Sequence, residues 1–240
     1  MPKTRKHSAK SWLRLLGVRT VVFLLFTLVF PLLVWQVYIS VQTARRQHTG
    51  LLQSIMMGNR RFASGTAIHP HSSRQYMHAV SKEQHPTAVV VACADSRVSP
   101  ELVLDKGIGD LFVIRTAGNM LGELELGSIE YAVEHLQVHL IMVMGHERCG
   151  AIKALVEGGE AHGHIKTLID SLQQEPEIEE VSITDPQRLE HCVRANILHQ
   201  VRYILTNSPL IKEGVKSGTL QIAAAYYDLD SGRMELLDIR

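Results

Sequence analysis

The chain has 240 residues, 45% of them hydrophobic, and its 25 basic and 24 acidic residues leave a formal net charge of +1. This length suits one or two globular domains, and the balanced composition excludes a disordered acidic or basic chain. With no basic excess and only 5% aromatic residues, we expect no nucleic-acid partner. Three cysteines, an odd number, cannot form a closed disulfide framework.

The first 41 residues have the features of a membrane anchor. Residues 1–19 contain six basic residues and no acidic one, and residues 20–41 contain no charge. About 20 apolar residues cross a bilayer core, so we expect one transmembrane helix over residues 20–41. The basic flank favours a cytoplasmic N-terminus, so the globular domain of residues 45–240 would lie on the outer side as a single-pass, periplasmic or extracytoplasmic protein.

Two other interpretations of this segment stay open. A cleaved secretory signal would have an apolar region of about 7 to 15 residues and an Ala-x-Ala-like cleavage site, which residues 41–44 match poorly. A buried core helix would seldom contain so long an uncharged run. The membrane anchor fits the pattern best.

A covering helix and a polar segment are expected next. Apolar residues between positions 47 and 65 recur at helical spacing. Residues 66–86 are polar and rich in histidine. Because no short metal-ligand repeat occurs among these histidines, we interpret them as surface residues.

Two strand-like runs each end in residues that can bind a metal. Residues 88–92 are apolar on both faces, as in a buried parallel strand, and they lead into Cys93, Asp95 and Arg97. Residues 138–145 form a second such run, which His146 and Cys149 follow. Because ligands bind an open α/β sheet where its strands end, we expect these side chains to meet.

The donor types at the two strand ends point to zinc. Zinc takes thiolate sulfur and imidazole nitrogen, and a catalytic site keeps three protein ligands and an open fourth position. His146 and Cys149 lie within about one helical turn, and Cys93 comes from the other strand. Asp95 is placed to orient a water molecule at the metal, and Arg97 to hold that carboxylate in a forked ion pair.

The alternative is that the two cysteines are small buried core residues and the histidine is a satisfied strand-end residue. For each residue taken singly, that interpretation and a functional one are about equally plausible. Taken together, the three residues favour the metal site.

The segments around these two runs continue the strand–helix alternation. Residues 111–114 predict a strand, and Arg115 to Asn119 a tight connection in which Gly118 and Asn119 suit a positive φ. Residues 124–136 have an apolar face at helical spacing. A further helix through residues 151–156 would hold Cys149 in its first turn, where the helix dipole favours a thiolate.

The C-terminal third contains weaker signals. His162 and His164 form a pair in a glycine-rich loop, either a second metal pair or proton shuttle or, as we favour, exposed loop histidines. Residues 165–180 predict an amphipathic segment whose acidic end, residues 175–180, is a solvated surface. The chain contains no internal repeat.

The last segments predict a long helix and a hairpin. The helix would run from Asp185 to Leu205, with Asp185 as N-cap and Cys192 as a buried structural thiol. Residues 219–228 and 233–238 predict a hairpin that adds an antiparallel edge strand. The fold class is therefore α/β: a mostly parallel central sheet of four strands plus an antiparallel edge strand, flanked by helices, after one N-terminal transmembrane helix.

Four ordered motifs resemble those of the β-carbonic anhydrases. The most specific is the pair Cys93-Ala-Asp95-Ser-Arg97 and Gly145-His146-x-x-Cys149-Gly150. Residues 109–119 resemble the family's second-strand segment, with Thr116 where the family usually has Asn, and residues 58–62 resemble its N-terminal helix. The similarity covers roughly residues 50 to 240.

The resemblance implies reversible hydration of carbon dioxide to bicarbonate and a proton. One zinc ion per subunit would be held by Cys93, His146 and Cys149, with Asp95 and Arg97 as catalytic residues and no further cofactor-binding residues. In some members of the family the aspartate instead binds the zinc in a closed, inactive form. The family's N-terminal helices embrace a partner subunit, so a homodimer or higher homo-oligomer is expected.

Two other functions stay open at this point. One is a hydrolase of carbon disulfide or carbonyl sulfide on the same scaffold. The other is a non-enzymatic zinc protein that partners a membrane transporter, which the presence of Asp95 and Arg97 disfavours.

Overall fold

The computed structural model describes Thr27 and residues 29–239, and the chain divides into two units, Met1–Arg45 and Arg46–Arg240. Within the described residues, no helix has both the length and the apolar character needed to cross a membrane. The basic segment 1–19 and the first part of the predicted span, residues 20–26 and residue 28, lie outside the described residues.

The described part of the second unit is built around a five-stranded sheet. In chain order the strands are Ala88–Cys93 (β1), Leu111–Thr116 (β2), Leu140–His146 (β3), Gln221–Tyr227 (β4) and Met234–Leu237 (β5). The spatial order is β2-β1-β3-β4-β5, in which β1 to β4 are parallel and β5 pairs antiparallel with β4. The predicted α/β sheet, with four parallel strands and an antiparallel edge strand, is confirmed.

Helices flank this sheet. Labelled α1 to α9 in chain order, the helices of the described residues are Phe30–Ala63, Arg74–Ala79, Pro100–Val103, Glu123–Glu134, Gly150–Glu157, Gly163–Gln173, Pro176–Glu179, Arg188–Asn207 and Pro209–Ser217. A 3₁₀ turn, Ala117–Asn119, follows β2. Because the connections between parallel strands contain helices, both faces of the sheet are covered.

The two faces of β1 pack against different elements, which explains why its sequence does not alternate. Val89 and Val91 belong to a core cluster with Ile197 of α8. Val90 belongs to a separate cluster with Ile55 of α1. A strand covered on both faces requires apolar residues throughout, and all six residues of β1 are buried.

A buried asparagine joins α1 to the edge hairpin. Asn59 Nδ2 donates to the backbone oxygens of Val103 and Gly232 at 3.0 and 2.9 Å, and Asn59 Oδ1 accepts from the Met234 amide at 2.9 Å. Gly232 has φ +69°, and a Cβ there would lie 3.2 Å from the Phe62 ring. The predicted covering helix is thus fixed to the sheet edge by specific hydrogen bonds.

Two predictions about the C-terminal third are wrong. Helix α8 begins at Arg188, because Asp185 lies before the helix in a turn, where its Oδ1 accepts from the Gln187 amide at 2.8 Å. Glu175, predicted to lie on a solvated acidic surface, is 1% exposed. Its side chain points inward because it hydrogen-bonds Gln200 of α8.

Candidate metal centre

The carboxyl ends of β1 and β3 bring the three predicted metal ligands together. Cys93 ends β1, His146 ends β3, and Cys149 is the N-cap of α5. Their ligand atoms lie within 4.8 Å of one another, and the two sulfur atoms are 4.0 Å apart. Because β1 and β3 are parallel neighbours, their ends meet at the same edge of the sheet.

The His146 ring is oriented as a metal ligand. Its Nδ1 lies 2.9 Å from the backbone oxygen of Glu147, so Nδ1 carries the proton and Nε2 keeps a free lone pair. Nε2 is buried and has no hydrogen-bond partner in the described part of the chain. Such an unpaired atom is costly, and a bound metal ion would satisfy it. Two cysteine sulfurs and one imidazole nitrogen fit zinc with an open fourth position.

The surroundings of Cys93 favour a thiolate. A hydrogen bond from Cys149 lowers the pKa of Cys93 against the opposing effect of burial, and hydrogen bonds from two backbone amides lower it further. The amides are those of Asp95 and Gly118, whose nitrogens lie 3.4 and 3.3 Å from the Cys93 sulfur. Contact with Cys93 raises the pKa of Cys149. Because thiolates are the metal-binding form, zinc would displace the remaining proton.

Asp95 and Arg97 form the predicted forked ion pair beside the cluster. Arg97 Nε and Nη2 donate to Asp95 Oδ1 and Oδ2 at 3.0 and 2.7 Å, and the Arg97 amide donates to Oδ1 at 2.9 Å. The Arg97 guanidinium holds the pKa of Asp95 well below its usual range. In this structure the aspartate is paired with the arginine and is not part of the ligand cluster.

Arg115 is a site residue whose role the sequence interpretation missed. Its Nε donates to the backbone oxygen of Cys93 at 3.1 Å, and its Nη2 donates to those of Asp95 and Val98 at 2.7 Å each. One side chain thus fixes the loop that carries the ligand and the ion pair. The available signal was the position of this charged residue directly after four apolar residues in the same strand.

The tight connection after β2 has the predicted backbone. Gly118 and Asn119 have φ +67° and +49°. Thr116 Oγ1 donates to the backbone oxygen of Met120 at 2.5 Å, so this threonine closes the turn. The turn directs the Gly118 amide toward the Cys93 sulfur, which lies 3.3 Å from the amide nitrogen.

The other candidate metal-binding residues are not brought to this centre. Cys192 is buried in α8, as predicted for a structural thiol. The His162 side chain is 83% exposed, and His164 borders a surface cleft with Thr167. Among the described residues, only Cys93, His146 and Cys149 form a cluster of metal-binding side chains.

Known proteins resemble this chain in sequence. Residues 88–234 match the family model described as carbonic anhydrase. The chain is 35% identical over 190 residues to carbonic anhydrase 2 of Mycobacterium tuberculosis. That alignment covers 78% of this chain and 91% of the relative. It is 38% identical over 183 residues to the carbonic anhydrase of Mycolicibacterium smegmatis, in an alignment that covers 75% of this chain and 88% of the relative.

Solved structures share the fold. The β-carbonic anhydrase CcaA superposes with a TM-score of 0.62 at 29% identity, over 78% of this chain and 95% of that one. One of the tetrameric β-carbonic anhydrases of Sordaria macrospora superposes with a TM-score of 0.62 at 27% identity, over 75% of this chain and 92% of that one.

Proposed function

The chain belongs to the β-class carbonic anhydrases, and we propose that it works with one zinc ion per subunit, held by Cys93, His146 and Cys149. As a carbonic anhydrase it catalyses the reversible reaction of carbon dioxide and water to bicarbonate and a proton. The observation that carries the zinc proposal is the partnerless, buried Nε2 of His146 within reach of two cysteine sulfurs.

The residues around the cluster have separate roles in this proposal. When bound, zinc supplies a nucleophile by lowering the pKa of water toward neutrality. Asp95 stays ionised beside Arg97 and accepts a hydrogen bond from the attacking water, which orients that water toward carbon dioxide. Arg97 holds Asp95, and Arg115 holds the loop on which both residues lie.

Metal analysis joined to a hydration assay tests this proposal. Purified full-length chain should contain one zinc ion per subunit and should hydrate carbon dioxide in stopped-flow measurements. Removal of the ion with a chelator should abolish hydration, and returning zinc should restore it. Full hydration activity in protein stripped of metal would contradict the proposal.

We also propose that the subunits form a homodimer or a higher homo-oligomer. The Sordaria macrospora relatives are described as tetrameric. In this chain a cleft of about 490 Å³ lies between α1 and β5, lined by apolar residues that include Leu52, Met57 and Leu236. Met57 and Leu236 are 50% and 41% exposed in the single chain. Light scattering should give a multiple of the 26.8 kDa chain mass, and a monomer at micromolar concentration would contradict it.

A membrane anchor is the third part of the proposal. The uncharged run 20–41 follows a basic segment, and the described apolar side chains of residues 30–39 are exposed. We propose a single pass with the catalytic domain on the periplasmic or other extracytoplasmic side. A reporter that is active only outside the cytoplasm, fused to the C-terminus, should be active, and the protein should fractionate with membranes. An inactive reporter at the C-terminus of a protein that fractionates with membranes would contradict the orientation.

A further inference from the structure

Three buried polar side chains lie behind the 3₁₀ turn that follows β2. Glu175, Asn196 and Gln200 are each 1% exposed. Gln200 Nε2 donates to Glu175 Oε1 at 2.8 Å and to Asn196 Oδ1 at 2.9 Å. Burying polar groups costs free energy unless they are paired. The benefit of this hydrogen-bonded group of side chains therefore lies in the backbone that it holds in place.

This hydrogen-bonded group of side chains holds the 3₁₀ turn at two points. Asn196 Nδ2 donates to the backbone oxygen of Gly118 at 2.8 Å, and Gln200 Oε1 accepts from the Leu121 amide at 3.1 Å. Two residues of the turn, Gly118 and Asn119, both have positive φ. Two consecutive residues seldom adopt this conformation by local preference. The side chains of α8 therefore stabilise a turn that would otherwise relax.

The turn contacts a proposed metal ligand. The Gly118 amide donates to the Cys93 sulfur at 3.3 Å. On its other side the turn is packed tightly, because a Cβ at Gly118 would lie 3.1 Å from the Ala151 Cβ. A hydrogen bond to a thiolate draws negative charge from the sulfur, and such outer hydrogen bonds tune the metal. This matters in a site where two thiolates offset the charge of the ion.

We propose that Asn196, Gln200 and Glu175 form a positioning clamp that keeps the Gly118 amide on the Cys93 sulfur and so sets how strongly that thiolate donates to the metal. The inference rests on the proposed zinc site. The clamp residues act through the Gly118 peptide, so their effect is on the properties of the bound metal rather than on the number of ligands.

Glu175 closes the clamp as a neutral acid. Burial raises the pKa of Glu175 to about 9, and the nearby Glu177 adds to the rise. Gln200 therefore donates to a neutral carboxyl oxygen at neutral pH. A glutamine at position 175 presents an equivalent oxygen and the same shape, so Glu175→Gln preserves the clamp and serves as the conservative variant.

Cobalt substitution of the full-length protein tests the clamp. Cobalt bound to thiolates gives a charge-transfer absorption band whose position reports the donor strength of the sulfur. Asn196→Leu removes the donor to Gly118, and Asn196→Ala removes it with a smaller side chain, which covers the case in which the leucine variant fails to fold. Cys192→Ala, buried in the same helix outside the clamp, is the matched control.

Both Asn196 variants should bind one cobalt ion per chain with the band at longer wavelength. A chelator should remove the metal from them roughly 10-fold faster than from wild type, the scale usual for outer hydrogen bonds. Glu175→Gln and Cys192→Ala should match wild type in both measurements. An unchanged band and release rate in the Asn196 variants would overturn the clamp alone. A wild-type chain with no thiolate-to-cobalt band would overturn the metal site itself.

Discussion

The Oδ2 atom of Asp95 lies 3.7 Å from the Nε2 atom of His146, while the same oxygen accepts a hydrogen bond from Arg97 at 2.7 Å. The carboxylate therefore faces the nitrogen that would bind zinc, but it stays bound to the arginine. In the proposed function, metal ligation and the orientation of water fall to different residues, so mutation should separate the two roles.

Replacing Asp95 should separate them most directly. Asp95→Asn keeps the shape of the side chain but loses the charge and one acceptor oxygen, so zinc content should stay at one ion per subunit. Turnover should fall by about 100-fold or more, the scale of losing a positioned acid–base group. Metal analysis and stopped-flow hydration measure the two effects. Loss of zinc in step with activity would show that Asp95 is a ligand.

Removing a proposed ligand should lower zinc content and turnover together, unlike the Asp95 substitution. Cys149→Ala should lose stoichiometric zinc and reduce hydration by more than the 10- to 100-fold typical of outer residues, because one of three ligands is gone. Cys192→Ala removes a buried thiol that is not part of the ligand cluster and should retain both zinc and activity. A Cys149→Ala protein with full activity would refute the ligand assignment.

Glu175 should make stability fall as pH rises. The unfolded carboxyl loses its proton above a pKa of about 4.3, whereas burial keeps the folded one protonated up to a pKa of about 9. The folded state then binds more protons between these values, so the free energy of unfolding falls by up to about 1.4 kcal/mol per pH unit from this group.

Glu175→Gln should remove that dependence. The stability of the variant relative to wild type should increase steadily from about pH 5 to about pH 9 in urea titrations, following the range between the two pKa values. Glu180→Gln, on the exposed end of the same segment, should leave the wild-type dependence unchanged. Parallel curves for wild type and Glu175→Gln would show that the buried carboxyl is ionised.

Asp105 should show the reverse pH dependence. Burial alone would raise the pKa of Asp105, but hydrogen bonds from Arg61 at 2.6 Å and from the Ile68 and His69 amides outweigh it, so the pKa is lowered. A lowered pKa contributes stability above the unfolded value of about 3.9, and this contribution is lost as pH falls through the folded value.

Asp105→Asn should therefore destabilise the protein by about 2 kcal/mol near neutral pH, the scale of lost hydrogen bonds to a charged group. Asparagine tolerates the positive φ of 47° at this position, so backbone strain adds little. In urea unfolding the difference should shrink as the pH falls below the unfolded value of about 3.9, because the stability that the lowered pKa gives wild type is then progressively lost. A difference that stays constant with pH would mean that the charge contributes nothing.

Much of the fold follows from the sequence because its pattern is local. Residues of β1 are apolar at every position, and only a strand covered on both faces tolerates that pattern. Gly118 and Asn119 marked a turn with positive φ because few residue types suit it. The predicted N-cap of α8, Asp185, lies two residues before the observed N-cap, Gln187, since Asp185 is as favourable in the turn that it occupies as at a helix start.

The sequence by itself predicted the α/β class, the three proposed metal ligands and the Asp95–Arg97 pair, because donor type and strand ends can be read along the chain. Only the tertiary structure decided which acidic residue is buried and which polar groups support the site. Glu175 lies among other acidic residues, so its sequence context predicts an exposed side chain. Asn196 donates a hydrogen bond to Gly118, which lies 78 residues earlier in the sequence. Burial and long-range hydrogen bonds depend on how α8 packs against the turn, and no local pattern of residue types specifies that packing.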